Sequence, residues 1–541
     1  MQPSALAKRP FILLFLIIVA FYFYGLGQMP LVGPDEPRYA QVAREMFIRG
    51  DLITPTLGGR TWFEKPALLY WLMIAGYKLF GVNEFAARFG PAACGLLTIL
   101  AVWILTRSFE KAHGSELAGL SWWSTFAAAT CFGIIVFSRG ATFDILVTMT
   151  LTWALALFFL HEQSRNAKSR RLLLSGFYAA VGLSLLAKGL IGIVIPVGVI
   201  GLYHLIARKR PSREFLLSLV WGAPISLLVA AIWYGPVISR HGWTFIDDFF
   251  IQHHFARYVS DKYKHPQRIY FYIPMILMMT VPWTGFLIDA FARLRFRKES
   301  IANTAMALNI FAFSWILFPL VFFTFSGSKL PGYILPAIPA ATVLIGERMA
   351  RLTSGAASRW PVIVSGMIAV ALAVGGVYYT LNSGVAPART AVLISLPIFV
   401  AGLFAIFLSR FAIASLLAVA FGSVLMLGLV VRFVAVKVAQ RQSAKELLVI
   451  ADSRGFAGMP IFIRRDDRSP EFYANERVVY GSDGEPARLE ELPEIIAETK
   501  RRGVRILVVV PVEYLDQYKD PTHVEIVADN GTLALLATKL R

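Results

Sequence analysis

Residues 411–434 read FAIASLLAVAFGSVLMLGLVVRFV and contain one charged side chain, that of Arg432. A run of this length can cross a lipid bilayer as a helix, because about 20 apolar residues span the hydrocarbon core. Backbone polar groups in lipid must find their hydrogen bonds within the segment, and a helix provides them. The stretch therefore predicts a transmembrane helix.

Apolar runs of the same character precede this one along most of the chain. The 541 residues are 57% hydrophobic and 16% charged, a balance that leaves too few polar residues for a soluble surface. We predict a mostly α fold, a polytopic bundle of about thirteen spans. The runs are 11–29, 85–106, 117–138, 141–161, 172–187, 189–207, 214–238, 269–292, 303–325, 331–347, 360–381, 390–409 and 411–434.

Charges between the runs indicate the topology. Every second loop is basic, from Arg107 and Lys111 onward, and cytoplasmic loops of membrane proteins carry such an excess of Lys and Arg. The pattern predicts a cytoplasmic N-terminus and two long outer loops, 30–84 and 239–268. Tyr22, Phe23 and Tyr24 stand where the small residues of a signal-peptide cleavage site would be needed, so we expect an uncleaved first span. The basic loops account for much of the net charge of +19, so no nucleic-acid partner is expected.

The composition changes after about residue 436. Helix-like pieces at 443–453 and 489–502 alternate with strand-like pieces at 460–464 and 504–510, and residues 524–538 resemble a hairpin turning at Asn530-Gly531. We therefore divide the chain into a transmembrane domain, 1–436, and a small α/β domain, 437–541. With thirteen spans, the second domain lies on the outer side.

The first outer loop has an unusual density of glycine, proline and charge. Residues 30–70 read PLVGPDEPRYAQVAREMFIRGDLITPTLGGRTWFEKPALLY, and 38–49 has the spacing of a helix with Tyr39, Val42 and Met46 on one face. Its charges beside lipid are either solvated helix ends or a functional cluster. A carboxylate with neighbouring cations could hold a lipid phosphate and assist a transfer to it.

Several short motifs together resemble the protein O-mannosyltransferase-like family, and within it the bacterial aminoarabinose transferases that modify lipid A. The resemblance covers about residues 1–435, and residues 437–541 carry no motif that we can match. The motifs are Gly33–Ala40 (GPDEPRYA), Arg44-Glu45-Met46, Phe63–Pro66 (FEKP), Ala141–Asp144 (ATFD), Leu186–Gly189 (LAKG) with Pro196, His254–Tyr258, Val281–Trp283 (VPW) and Ser328–Tyr333 (SKLPGY).

The resemblance implies a GT-C type glycosyltransferase in a bacterial inner membrane, with a periplasmic C-terminal domain. It would transfer 4-amino-4-deoxy-L-arabinose from undecaprenyl phosphate to a lipid A phosphate, by inversion. The expected partners are this donor, lipid A and membrane lipids, and we expect a monomer. Another sugar moved from a polyprenyl phosphate to protein or glycan is the near alternative, and a lipid-linked sugar transporter is the distant one.

The resemblance also implies roles for particular residues. Asp35 matches the principal acidic position, where it orients the acceptor or holds the donor's amine, with a helix N-cap as the structural alternative. Asp144 matches the second acidic position, or it pairs with Arg139. The candidates for binding the donor phosphate or the sugar, which could instead be solvated charges or interfacial anchors, are Arg38, Lys65, Arg257, Lys329 and Tyr333.

A metal site is a separate possibility that the family's chemistry does not require. His253 and His254 lie in the second outer loop, and imidazole suits zinc. With Glu64 from the first loop they could form a structural zinc clip. No cofactor is expected for the transfer itself.

Overall fold

The protein is described by a computed structural model that covers residues 16–256, 267–294, 306–465 and 467–540. Helices make up most of the chain before residue 442. Residues 16–23 are helical, and the α-helices that follow are Glu36–Arg49, Leu68–Phe80, Glu84–His113, Leu120–Thr130, Phe132–Ser138, Asp144–Gln163, Ala167–Lys188, Ile191–Ile206, Arg213–Ile246, Tyr272–Met279, Thr284–Arg293, Ala307–Thr324, Ile338–Thr353, Trp360–Asn382, Ala388–Phe407, Ala412–Val430 and Val436–Arg441.

These helices coincide with the apolar runs, so the predicted fold class is confirmed and the chain is a polytopic membrane protein. Among the described residues, eight helices are long and apolar enough to cross a membrane. The number rises to ten if each of two bent helix pairs forms one span. The bends are 52° between Leu120–Thr130 and Phe132–Ser138, and 118° between Tyr272–Met279 and Thr284–Arg293. The count of thirteen stays a prediction.

One helix lies where the sequence predicted only an outer loop. Leu68–Phe80 is apolar along most of its length but shorter than a membrane crossing requires. Its Tyr70 and Tyr77 are buried, and the hydroxyl of Tyr77 donates to the carbonyl of Ala40 over 3.0 Å. The first loop therefore contains two packed helices, Glu36–Arg49 and Leu68–Phe80.

The chain forms two compact units, which we name the bundle unit and the sheet unit. The bundle unit comprises Phe63–Leu69 and Gly90–Leu429 with the residues up to Tyr24. The sheet unit comprises Gly25–Trp62, Tyr70–Phe89 and Val430–Arg541. The domain boundary at 436/437 stays a prediction from composition.

The sheet unit contains a four-stranded mixed sheet. Its strands are β3 (Ile461–Ile463), β4 (Leu507–Pro511), β5 (Val524–Asp529) and β6 (Leu533–Thr538), in the spatial order β3-β4-β6-β5. β3 and β4 are parallel and the other pairs are antiparallel, with β5 and β6 forming the expected hairpin.

Helices cover both faces of this sheet, which explains why β4 and β6 are apolar except for Thr538 at the end of β6. Lys445–Ala451 contributes to one hydrophobic core, and Leu492–Arg502 contributes Ile495 to the other. A further short helix, Ser469–Tyr473, follows β3. The predicted α/β character of the C-terminal region is confirmed.

Part of the first outer loop also belongs to the sheet unit. Helix Glu36–Arg49 buries Tyr39, Val42 and Met46, the face that the sequence predicted. Glu45 on the same helix accepts hydrogen bonds from the Thr56 hydroxyl at 2.6 Å and the Gly58 amide at 2.7 Å. These bonds fix the small ribbon formed by β1 (Thr56–Leu57) and β2 (Arg60–Thr61).

Candidate active site

Asp35 lies immediately before helix Glu36–Arg49, in the position of a helix cap. Its side chain makes no capping hydrogen bond, and its carboxylate instead pairs with Arg38 over 2.9 Å. The Asp35 side chain is 44% exposed, whereas that of Arg38 is 14% exposed. The capping alternative therefore does not describe this carboxylate, which is held by a neighbouring cation and accessible to a ligand.

Two aromatic rings fix the guanidinium of Arg38. Its Cζ atom lies 5.2 Å from the ring centre of Trp62 and 5.4 Å from that of Tyr39. A guanidinium over an aromatic face gains cation–π attraction and loses rotational freedom. The carboxylate of Asp35 is thus paired with a guanidinium that is itself held in position.

A buried ion pair holds the segment that leads to Asp35. Arg88 is 2% exposed and binds the carboxylate of Glu36 through two nitrogens, at 2.6 and 2.9 Å. It also donates to the backbone carbonyls of Leu26, Met29 and Pro30, at 2.8, 2.6 and 3.0 Å respectively. Glu36 and Asp35 are adjacent in sequence, yet one is structural and the other is available for chemistry.

Glu64 and Lys65 form an ion pair of 2.9 Å in the bundle unit. Phe63 packs edge-on against His241 and Phe245, with ring centres 5.0 and 5.1 Å apart, so this segment is anchored from its N-terminal side. Lys65 stays a predicted phosphate ligand. Its charge is already balanced by Glu64, so a phosphate would compete with that carboxylate.

Asp144 and Lys188 form the closest ion pair among the predicted motifs. Asp144 begins helix Asp144–Gln163, Lys188 ends helix Ala167–Lys188, and their charged atoms are 2.5 Å apart. An acid at a helix N-terminus and a base at a helix C-terminus both interact favourably with the helix dipoles. Asp144 thus pairs with Lys188, whereas Arg139 donates to the carbonyls of Phe21 and Tyr24.

The backbone break at 328–333 packs against this pair. The Nζ atom of Lys188 lies 4.7 Å from the ring centre of Tyr333. A Cβ atom at Gly332 would lie 2.2 Å from a carboxylate oxygen of Asp144, so only glycine permits this approach. Asp144, Lys188 and Tyr333 therefore form one cluster in the bundle unit.

Lys329 has a different environment from Tyr333, although the two were predicted together. It is 9% exposed, and its ammonium donates to the carbonyl of Ser326 over 2.9 Å. This bond closes the turn before Pro331. Lys329 thus shapes the break itself in the structure, and its predicted contact with substrate stays a prediction.

Lys188 is a residue of the cluster for which the sequence analysis predicted no role of its own. There it is only part of the LAKG motif. The signal that could have identified it is a lone lysine at the end of an apolar run, where an unpaired charge is costly. Arg257 lies outside the described residues.

The predicted zinc ligands can be followed only in part. Glu64 carries the ion pair with Lys65, and the side chains of His253 and His254 lie outside the described part of the chain. Among the side chains that the structure describes, no group of three or more His, Cys, Asp or Glu could hold a metal ion. The zinc site stays a prediction.

Comparison with known proteins relates these residues to a family. A family model described as dolichyl-phosphate-mannose-protein mannosyltransferase matches residues 64–234, a range that includes Lys65, Asp144 and Lys188. The undecaprenyl phosphate-alpha-4-amino-4-deoxy-L-arabinose arabinosyl transferase of Aeromonas salmonicida is 34% identical over 346 residues. The enzyme of that name from Aeromonas hydrophila is 32% identical over 351 residues.

Each of these two matches covers 63% of this chain and 60% of the relative, so the chain spans about three fifths of the length of the curated relatives it matches. The crystal structure of ArnT from Cupriavidus metallidurans bound to undecaprenyl phosphate superposes with a TM-score of 0.78. It is 24% identical and covers 98% of both chains, which establishes the fold. The resemblance seen in the motifs is confirmed: the chain is similar in sequence to aminoarabinose transferases and shares the fold of ArnT.

Proposed function

We propose that this protein transfers 4-amino-4-deoxy-L-arabinose from undecaprenyl phosphate to a phosphate group of lipid A. The observation that carries the proposal is the Asp144–Lys188 pair, closed over by Gly332 and Tyr333. An ion pair at the ends of two apolar helices is costly to bury and needs a reason. The similarity to named aminoarabinose transferases supplies that reason.

The reaction is a single displacement with inversion. An oxygen of the acceptor phosphate attacks C1 of the sugar, and the bond from C1 to the donor's phosphate oxygen breaks. The electron pair leaves with undecaprenyl phosphate. The acceptor phosphate oxygen is already an oxyanion, so it needs no strong base to activate it. Cations near the departing phosphate stabilise its charge. Lys65, Arg38 and Arg257 are proposed for that task.

The acids then have positioning duties. Asp35, exposed and held by Arg38, orients the acceptor or binds the amine of the donor sugar. Asp144 is the second acid, and Lys188 fixes its carboxylate. Tyr333 offers its ring and hydroxyl to the sugar or phosphate. Lys329 acts indirectly, since its ammonium is bound to the carbonyl of Ser326.

Transfer by the purified protein in detergent tests this proposal. We expect a product with added aminoarabinose when undecaprenyl phosphate aminoarabinose and lipid A are supplied, detected by mass spectrometry. Asp144→Asn should lower the rate at least about 100-fold, as expected for an electrostatic group near the reacting atoms. Absence of transfer by the folded wild-type protein would exclude the proposal.

A second sugar is the alternative that one observation favours. The matching family model describes mannosyl transfer from dolichyl phosphate to protein. A parallel assay with polyprenyl phosphate mannose and a peptide acceptor separates the two activities. Product in that assay alone would assign the protein to mannosyl transfer. Movement of donor across sealed vesicles without transfer would instead support a transporter.

We further propose an inner-membrane monomer with a cytoplasmic N-terminus and a periplasmic α/β domain, 437–541. The alternation of basic loops supports this topology. A structural zinc bound by His253, His254 and Glu64 is part of the same proposal. Metal analysis of the purified protein, beside the His253→Ala/His254→Ala variant, tests the zinc.

A further inference from the structure

A cavity of about 630 Å³ lies in the sheet unit and has no part in the roles assigned above. Its walls come from the segments that follow β3 and β4, and from the start of β6. Because β3 and β4 are parallel, their carboxyl ends meet at one edge of the sheet, where ligands of α/β proteins commonly bind. A cavity of this size holds a ligand of one or two sugar rings.

The cavity is lined by cationic side chains. Among the described residues its arginines are Arg464, Arg465, Arg468 and Arg488, against the two acids Asp467 and Glu490. Guanidinium groups in a concave site favour phosphate, which they can bind through two parallel hydrogen bonds. Arg468 is already paired with Glu471 and Glu485, so the capacity of the lining to bind an anion comes from the other arginines.

The arginines around Tyr514 are held in place. The Cζ atoms of Arg464 and Arg465 lie 4.0 and 4.6 Å from the ring centre of Tyr514. Arg464 also donates to the carbonyl of Glu490 over 2.6 Å. Within the part of the chain that the structure describes, no carboxylate pairs with Arg464. Arg465 pairs with Glu513 over 2.9 Å, and both side chains are 61% exposed, so a bound anion would compete only with a solvated carboxylate for Arg465.

Asp467 gives the cavity a second kind of contact. One of its carboxylate oxygens accepts from the Ser469 amide over 2.9 Å, while the other is buried without a hydrogen-bond partner. Burial raises the pKa of Asp467. A buried oxygen of this kind suits a hydroxyl or amine of a ligand, because leaving it unsatisfied is costly. The site thus favours a phosphorylated saccharide over a bare phosphate ion.

The wall of the cavity includes Gly33 and Pro34, the two residues directly before Asp35. Asp35 and Arg38 belong to the same unit, so a ligand in the cavity lies against the segment that carries them. We propose that this cavity binds the phosphorylated saccharide headgroup of the acceptor glycolipid. The assignment rests on the proposed function, since it names the place where the acceptor is held.

Binding to the full-length protein in detergent tests the assignment without any transfer. The probe is the deacylated, phosphorylated glucosamine disaccharide of the acceptor, titrated calorimetrically. Arg465→Gln/Arg488→Gln removes two exposed guanidiniums and spares the buried Arg468. We expect affinity to fall at least about tenfold, the loss typical of a charge-assisted hydrogen bond. Arg501→Gln/Lys519→Gln, equal in charge and outside the cavity lining, should bind within about twofold of wild type.

Several results would overturn the assignment. Unchanged affinity in the arginine variant would do so, as would an equal loss in the control. Competition by inorganic phosphate as effective as by the disaccharide would indicate a site for the free ion. The acceptor's KM should rise in the variant while the donor's KM stays constant. If the wild type binds the disaccharide but transfers nothing, the proposed function fails, and the cavity stands only as a binding site for a phosphorylated saccharide.

Discussion

The two acids that match the family's motifs are held in opposite ways. Asp35 in the sheet unit pairs with Arg38, three residues along one helix, and is 44% exposed. Asp144 in the bundle unit pairs with Lys188, 44 residues away on another helix, and is 22% exposed. An exposed local pair contributes little to stability, whereas a pair between helices fixes both of them. Asp35 is therefore available to a ligand, while Asp144 also contributes to the stability of the fold.

The largest effect on activity is expected from Asp35→Asn. The rate of transfer should fall about 1,000-fold, the upper end of the range for losing one preorganised electrostatic contact to the reacting groups. The melting temperature should stay within about 2 °C, because an exposed ion pair contributes at most about 1 kcal/mol. Thermal unfolding and transfer are measured together, with Asp516→Asn as the exposed control. Retention of half the activity would remove Asp35 from the reaction.

Lys188→Gln should lower activity about 100-fold and also lower stability, because it leaves the carboxylate of Asp144 without its cation. Adding Asp144→Asn to this variant should restore stability but not activity, since the uncompensated charge is then gone. Lys168→Gln, an exposed lysine of the same helix, is the control. If Lys188→Gln left both the melting temperature and the rate unchanged, the difference between the two acids would disappear.

Gly332→Ala perturbs the same cluster without removing either charge. Its added Cβ atom would lie 2.2 Å from a carboxylate oxygen of Asp144 and must displace it. We expect transfer to slow about tenfold, because a small displacement of a positioned group is costly while both charges remain. Gly375→Ala, which meets no atom within 4 Å, should behave as wild type. Equal rates for the two variants would show that the position of Asp144 is unimportant.

Sequence alone predicted those features that depend on neighbouring residues. The apolar runs coincide with helices because an isolated segment in lipid has no other way to satisfy its backbone. The strands and helices of the sheet unit followed from local alternation and from the turn at Asn530-Gly531.

Features that join distant parts of the chain were not predictable in this way. Lys188 meets Asp144 across 44 residues, and Arg88 meets Glu36 across 52. Helix Leu68–Phe80 was hidden in the predicted outer loop because it is too short to suggest a span. The arginine-lined cavity depends on the parallel pairing of β3 and β4, which no single segment specifies. A single sequence, without an alignment of related sequences beside it, contains no record of such long-range contacts.

The buried pair of Glu36 and Arg88 determines when the segment before Asp35 becomes ordered. It closes a loop of 52 residues, and the entropy lost in closing a loop of that length is incurred when the unit folds. The backbone just before Asp35 is therefore already ordered before any substrate arrives. Substrate binding therefore carries no entropic cost for ordering this segment. In this sense the segment is preorganised.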